Sequence, residues 1–155
     1  MTRAYVGLGA NLGDRESTIR RALVLLGGRP GVEIVLVSRL RETAPVGFLD
    51  QPAFLNGAAM LETTLEPLSL LEQLLAVEFE LGRERGAKRN GPRTIDLDLL
   101  VYGDDVVDQP GLTVPHPRLH ERAFALEPLT DLDPTLRIPG RGTVADALAG
   151  LHSVA

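Results

Sequence analysis

The hydrophobic period of the chain switches between two and about 3.6 residues in a fixed order, and that order leaves few folds open. Ala4 to Leu8 is a short β-prone run that ends in glycines. Ile19, Ala22, Leu23 and Leu26 then fall at i, i+3, i+4 and i+7, one stripe of a helix that Asp14 caps and Gly27-Gly28 stops. "VEIVLVSRLRE" returns to period two, with Ile34, Leu36 and Ser38 on one face and Val35, Val37 and Arg39 on the other. "TAPVGFLDQPAF" has no clear period and is expected as loop; "FLNGAAMLETT" is expected as strand. Pro67 suits the first turn of a second helix. That helix is expected to reach about Leu81, with Leu71, Leu74, Leu75 and, one turn on, Glu78 along its stripe. The glycine-bearing "GRERGAKRNGPR" reads as a loop before the strand "RTIDLDLLVYG". Beyond Gly103 the text is turn-rich. A helix is expected from about His120 to Leu132, and a short terminal one over "TVADALAGL". The order β-α-β-β-α-β predicts an α+β, ferredoxin-like antiparallel sheet with helices packed on one face, plus C-terminal helical additions. The other face of the sheet is left for loops or for a site.

Nothing divides the chain. It has no repeat, low-complexity tract or linker, and its 155 residues fit one core, so a single domain over 1–155 is expected. Charged residues make up 24% and the net charge is −5, which argues against nucleic-acid binding driven by overall charge. With no cysteine, disulfides, thiolate chemistry and cysteine-rich zinc sites are excluded. No signal-like segment precedes the first strand and no apolar run approaches a membrane span, so a cytoplasmic protein without a membrane partner is expected.

The strand at Arg93–Gly103 carries Asp96 and Asp98 although aspartate is depleted in strands. Two residues apart, they share a face with Cα atoms about 6.5–7 Å apart, while Ile95, Leu97 and Leu99 take the other. Like charges so placed repel, unless one neutralises or both share a cation. An oxygen-only pair suits a hard ion such as Mg²⁺. So short a motif is, on its own, more often the solvated face of an edge strand. Its context is different: Arg83, Arg85, Lys88, Arg89 and Arg93 stand just upstream, and guanidinium forks suit phosphate oxygens. Alone, that run is a solvated basic loop. Together with the acidic pair it points to Mg²⁺–nucleotide chemistry.

"GLGANLG" has glycines between a strand and a helix, but the spacing G-x-G-x-x-x-G is not that of a dinucleotide fingerprint, and a close-packed strand-to-helix turn is preferred. Phe54 and Asn56 share a strand face, an aromatic surface beside an amide that can pair with a heterocycle edge. Most phenylalanines are core. His116 stands between Pro115 and Pro117; a lone histidine is more often structural, but near phosphates it can donate a hydrogen bond.

Beyond these separate features, "RNGPRTIDLDLL" resembles the signature of the 6-hydroxymethyl-7,8-dihydropterin pyrophosphokinase family, and "AYVGLGANLGDR", "ETAPVGFLDQPAFLNGAAMLET", "ELGRERG" and "LTVPHPRLHERAFALEPLTDLDP" resemble further family segments in the family's order. The resemblance spans nearly the whole chain. It implies a ferredoxin-like fold and a folate-pathway enzyme that moves the β,γ-pyrophosphoryl unit of ATP to the pterin hydroxymethyl group and releases AMP. Carried over to this sequence, it implies that Asp96 and Asp98 hold two Mg²⁺ ions, that Arg83 and Arg93 neutralise charge on the transferring group, and that Arg85 helps to close the site. His116 and Arg122 would contact ATP. Phe54 and Phe124 would sandwich the pterin ring and Asn56 would bind its edge, with backbone groups of Thr43, Ala44, Pro45 and Val46 completing its recognition. Ala44 and Asn90 depart from some relatives, which carry proline and an aromatic residue there. The implied partners are small molecules, ATP and the pterin, met by a monomer. A non-catalytic ferredoxin-like module, or a Mg²⁺-dependent nuclease or phosphatase, explains fewer of these residues.

Overall fold

A computed structural model describes residues 1–44, 52–85 and 95–153. The strands β1 (Thr2–Ala10), β2 (Val32–Val37), β3 (Arg41–Thr43), β4 (Phe54–Thr63) and β5 (Asp96–Tyr102) form one sheet. The helices α1 (Arg15–Gly27) and α2 (Pro67–Arg85) connect them. The order is β2-β4-β1-β5 with every pairing antiparallel, and β3 is a further partner of β4. The β-α-β-β-α-β expectation and the α+β, ferredoxin-like class therefore stand.

Asp14 caps α1 as expected, accepting the backbone N–H of Ser17 at 3.1 Å. The stripe on α1 also holds, with Ile19, Ala22 and Leu26 buried. They pack with Leu70, Leu74, Val77 and Leu81 of α2 onto Val6, Leu8, Leu61, Leu97 and Leu99 of the sheet. The buried stripe of α2 differs from the expected one. Leu70, Leu74, Val77 and Leu81 lie at i, i+4, i+7 and i+11, and Leu75 is 51% exposed. In a leucine-rich helix several stripes fit the period, and only the position of the sheet selects one.

The strand expected over 32–42 is two strands. The register slips between Ile34 and Leu36, so Leu36 pairs with Met60 and leaves the face of Ile34. Ser38 still donates its backbone N–H to the Ala58 carbonyl at 2.8 Å, but its hydroxyl takes the Ala58 N–H at 2.9 Å and donates to the Arg39 carbonyl at 3.0 Å, which ends the regular ladder. The chain rejoins β4 only at Arg41.

The second face of the sheet is not left open along its length. After β5 come a hairpin, β6 (Val107–Gln109) with β7 (Leu112–Val114), a single 3-10 turn at Leu119–Glu121, and α3 (Ala123–Leu132). A two-residue pair, β8 (Arg137–Ile138) with β9 (Gly142–Thr143), leads into α4 (Val144–Ser153). Leu119, Leu126, Leu129 and Val144 pack on Tyr5, Ala58, Met60, Leu100 and Val101. The helix expected from His120 to Leu132 breaks at Arg122, whose backbone is extended at φ −116°, ψ 96°. Arg122 thus separates the 3-10 turn from α3, and Leu119 before it and Leu126 after it are both buried. Among the described residues the helical additions thus cover part of this face and leave a cavity beyond Ala58 and Leu100.

Candidate active site

The floor of the cavity is set by strand register. Gly9 of β1 pairs with Asn56 on one side and Asp96 on the other, and Gly7 pairs with Asp98. With strands about 4.8 Å apart, Asn56 and Asp96 stand about 9–10 Å apart across a bare glycine. The absence of a side chain matters at Gly9: a Cβ there would lie 3.0 Å from Asn56 Oδ1. The glycines of "GLGANLG" therefore open a ligand floor within a strand, whereas the sequence argued only for a close-packed turn. Period two gives the reason: Gly7 and Gly9 share the face of Asp96, Asp98 and Asn56, and a larger residue at either would fill the cavity.

The facing wall comes from the segment after β7. The cavity has a volume of about 760 Å³ and is lined by Gly7, Gly9, Thr43, Ala44, Phe54, Asn56, Asp96 and Asp98 on one side and by His116, Arg118, Glu121, Arg122 and Phe124 on the other. Its volume lies in the range of small-molecule sites. Every expected site residue whose side chain is described thus comes to one place. The expected Pro45, Val46 and Arg93 lie outside the described residues. Arg83 and Arg85, expected in a loop, belong by their backbone to the last turn of α2, which runs to Arg85; their side chains lie outside the described residues. The loop expectation fails there because Leu81 at the end of α2 is still buried, which keeps the helix on the sheet past Gly82.

Asn56 is buried at 8% exposure and its amide donates to the Thr43 hydroxyl across the β3–β4 pair. Thr43 pairs with Phe54 in register, so this end of the cavity presents a ring, an amide and strand-end backbone together. On the other wall the Arg122 guanidinium sits 5.6 Å from the centroid of the Phe124 ring, a cation–π distance.

His116 is half-buried against the acidic end. Its backbone N–H donates to the Leu100 carbonyl at 2.9 Å, and its Nδ1 accepts the Arg118 N–H at 3.2 Å. An accepting Nδ1 leaves the proton of the neutral ring on Nε2. Burial pushes the His116 pKa below its ordinary value; Asp98 opposes that shift, and Arg122 and Arg118 add to it. Arg118 and Glu121, joined at 3.3 Å, are cavity residues that the sequence did not single out. Exposed charges in a turn give no pattern to read.

Among the described residues no group of three or more His, Cys, Asp or Glu forms a metal cage. Asp96 and Asp98 instead give two carboxylates on an open face. That donor set fits a hard cation that completes its shell with water and phosphate oxygens, as Mg²⁺ does. Among the described residues no helix is long and apolar enough to cross a membrane.

The comparisons with known proteins converge. The family model of 7,8-dihydro-6-hydroxymethylpterin-pyrophosphokinase (HPPK) matches residues 5–134. The 2-amino-4-hydroxy-6-hydroxymethyldihydropteridine pyrophosphokinase of Pseudomonas aeruginosa is 46% identical over 147 residues, covering 95% of this chain and 90% of that protein. The protein of the same name from Bacillus subtilis is 46% identical over 129 residues, covering 83% and 77%. Among solved structures, the HPPK-DHPS of Plasmodium falciparum (an A437G variant with SDX-DHP) superposes with a TM-score of 0.78 at 16% identity. The match covers 98% of this chain but 46% of that one, and at this identity it bears on the fold alone. The chain belongs to the 7,8-dihydro-6-hydroxymethylpterin-pyrophosphokinase family, whose reaction is the transfer of pyrophosphate to hydroxymethyldihydropterin in folate synthesis.

Proposed function

We propose that this chain performs the family's transfer with Mg²⁺-bound ATP at the acidic end of the cavity and the pterin at the aromatic end. The observation that carries the proposal is that one cavity of about 760 Å³ holds both Asp96–Asp98 and the Phe54–Asn56–Phe124 group. Asp96 and Asp98 would hold two Mg²⁺ ions. Bound there, the ions would offset the charge of the triphosphate. Arg83 and Arg93 would neutralise charge that grows on the transferring group, and Arg85 would help to close the site. His116, neutral with its proton on Nε2, and Arg122 would hydrogen-bond phosphate oxygens. Phe54 and Phe124 would hold the flat pterin between them, and Asn56, with backbone groups of Thr43, Ala44, Pro45 and Val46, would read its edge.

In this arrangement the pterin hydroxyl oxygen attacks the β-phosphorus in line. The O–Pβ bond forms, the hydroxyl O–H bond breaks with its proton passing to solvent, the bond from Pβ to the oxygen shared with the α-phosphate breaks, and AMP leaves with that oxygen. The contribution of the chain is positioning and electrostatics, worth up to about 7–11 kcal/mol where two reactants are held in near-attack geometry. AMP release measured with ATP, with and without pterin and with and without a chelator, tests it. AMP should appear only with pterin and Mg²⁺ present. AMP formed equally without pterin, or unaffected by chelation, would overturn the proposal.

A further inference from the structure

The cavity residues Thr43, Ala44 and Phe54 sit at the two ends of one connection, and a residue outside the cavity grips both ends. Thr43 pairs with Phe54 where β3 meets β4, which brings Ala44 and Ala53, the residues next to that pair in sequence, to one point of the sheet. Arg15, the first residue of α1, stands beside that point. Its Nη1 donates to the Ala53 carbonyl at 2.8 Å and its Nη2 to the Glu42 carboxylate at 3.3 Å. Glu42 immediately precedes Thr43, and Ala53 immediately precedes Phe54. One guanidinium therefore spans the outgoing and the returning arm. The Arg15 side chain is 28% exposed and Glu42 is 64% exposed. The bond to the Ala53 carbonyl is thus the better sheltered, and the ion pair is the weaker half.

The anchor is itself fixed. Asp14 caps α1 through Ser17, and the buried Ile19 and Ala22 seat the helix on the sheet. The neighbouring Asn11, 1% exposed, donates through its amide to the Pro52 carbonyl at 3.4 Å. The "GANLGDR" segment thus does two things: Gly9 opens the floor, and Asn11 and Arg15 hold the returning arm two residues and one residue before Phe54, respectively.

We propose that Arg15 is a positioning residue for pterin binding, a clasp that sets the spacing between Thr43–Ala44 and Phe54 without touching the substrate. The proposal rests on the pterin lying at the aromatic end of the cavity. Lysine cannot replace the clasp fully, because a single ammonium lacks the planar fork that serves two acceptors at once.

Calorimetry on the whole chain separates the two ligands: pterin titrated into protein saturated with Mg²⁺ and a non-hydrolysable ATP analogue, and the analogue titrated alone. Arg15→Ala should weaken pterin binding roughly tenfold, the scale of one lost charge-assisted hydrogen bond, and leave analogue binding within about twofold. In turnover, the pterin KM should rise while kcat holds. Arg15→Lys should recover part of the loss, in the pterin arm only, and carries the same comparison if Arg15→Ala does not fold. Equal losses for both ligands, unchanged pterin binding, or a lysine variant no better than alanine would overturn the clasp. If the wild type bound the analogue but no pterin, the site assignment would fall with it. If the wild type bound pterin and Arg15→Ala bound it equally well, the clasp alone would fall.

Discussion

The Glu78 carboxylate, on the sheet-facing side of α2, accepts the backbone N–H of Leu97 at 2.7 Å. Leu97 lies between Asp96 and Asp98 in β5, which among the described residues pairs with β1 alone. Glu78 therefore serves a donor that no described strand reaches, at the centre of the acidic pair. Glu78→Ala would leave that N–H without this partner, and a part-buried donor left unmade costs about 1–3 kcal/mol. Urea denaturation should show an unfolding free energy lower by that amount, with Glu78→Gln, which keeps an acceptor, losing less than half as much. Equal losses in the two variants would show that the carbonyl oxygen is not what matters.

Asp96 and Asp98 should carry the turnover without carrying the fold. Both line the cavity, and Asp98 is exposed, so neither belongs to the apolar core. Asp96→Asn and Asp98→Asn should each cut AMP release by roughly 10²–10³-fold, the scale seen when one preorganised electrostatic partner is removed. Thermal melting should stay near that of the wild type. Near-wild-type turnover in both variants would remove the metal assignment.

Asp96 and Asp98 also show what the sequence makes legible. Two carboxylates on one strand face follow from period two alone, and the structure keeps them there. The caps, the α1 stripe and the strand order were equally local. What stayed hidden depends on partners distant in sequence. Leu36 changes face because β4 slips in register, and the stripe of α2 is chosen by the sheet. Arg122 breaks a helix although no glycine or proline marks the place. Gly9 becomes a ligand floor only once Asn56 and Asp96 are known to flank it. The split of roles within the basic run, and the pterin itself, came from resemblance, since arginines at such spacing are equally a solvated surface.

His116 should be neutral at pH 7 in the metal-free protein. Burial holds its pKa below the ordinary 6.5, and Arg122 and Arg118 act in the same direction against Asp98. The sign for stability follows. The unfolded chain takes up the proton near 6.5 and the folded one at a lower pH, so the contribution of His116 is complete above 6.5 and is lost as pH falls through the folded value. NMR titration of the imidazole should give a pKa below 6.5, and Asp98→Asn should lower it further by removing the opposing charge. A value above 6.5 would mean that the carboxylate outweighs burial.

Arg41 and Asp131 tie the two walls of the cavity together. Arg41 Nη1 and Nη2 donate to Asp131 Oδ2 and Oδ1 at 2.9 and 2.8 Å, and Arg41 Nε lies 3.6 Å from Glu127. Thus β3, which carries Thr43, is pinned to α3, which carries Phe124. The Arg41 guanidinium, helped by the Arg39 N–H, holds the Asp131 carboxyl below its ordinary 3.8, and the Arg41 pKa is raised in turn. A carboxyl depressed in the folded state stabilises above its unfolded pKa, and that part is lost as pH falls below about 4. Both side chains keep solvent contact, at 19% and 30% exposure, so screening limits the pair. A double-mutant cycle of Arg41→Gln and Asp131→Asn should give about 0.5–1 kcal/mol of coupling at pH 7, falling toward zero in acid and in high salt. Coupling that persisted unchanged after acid had protonated Asp131, and in high salt, would show that the two residues act through packing and not through charge.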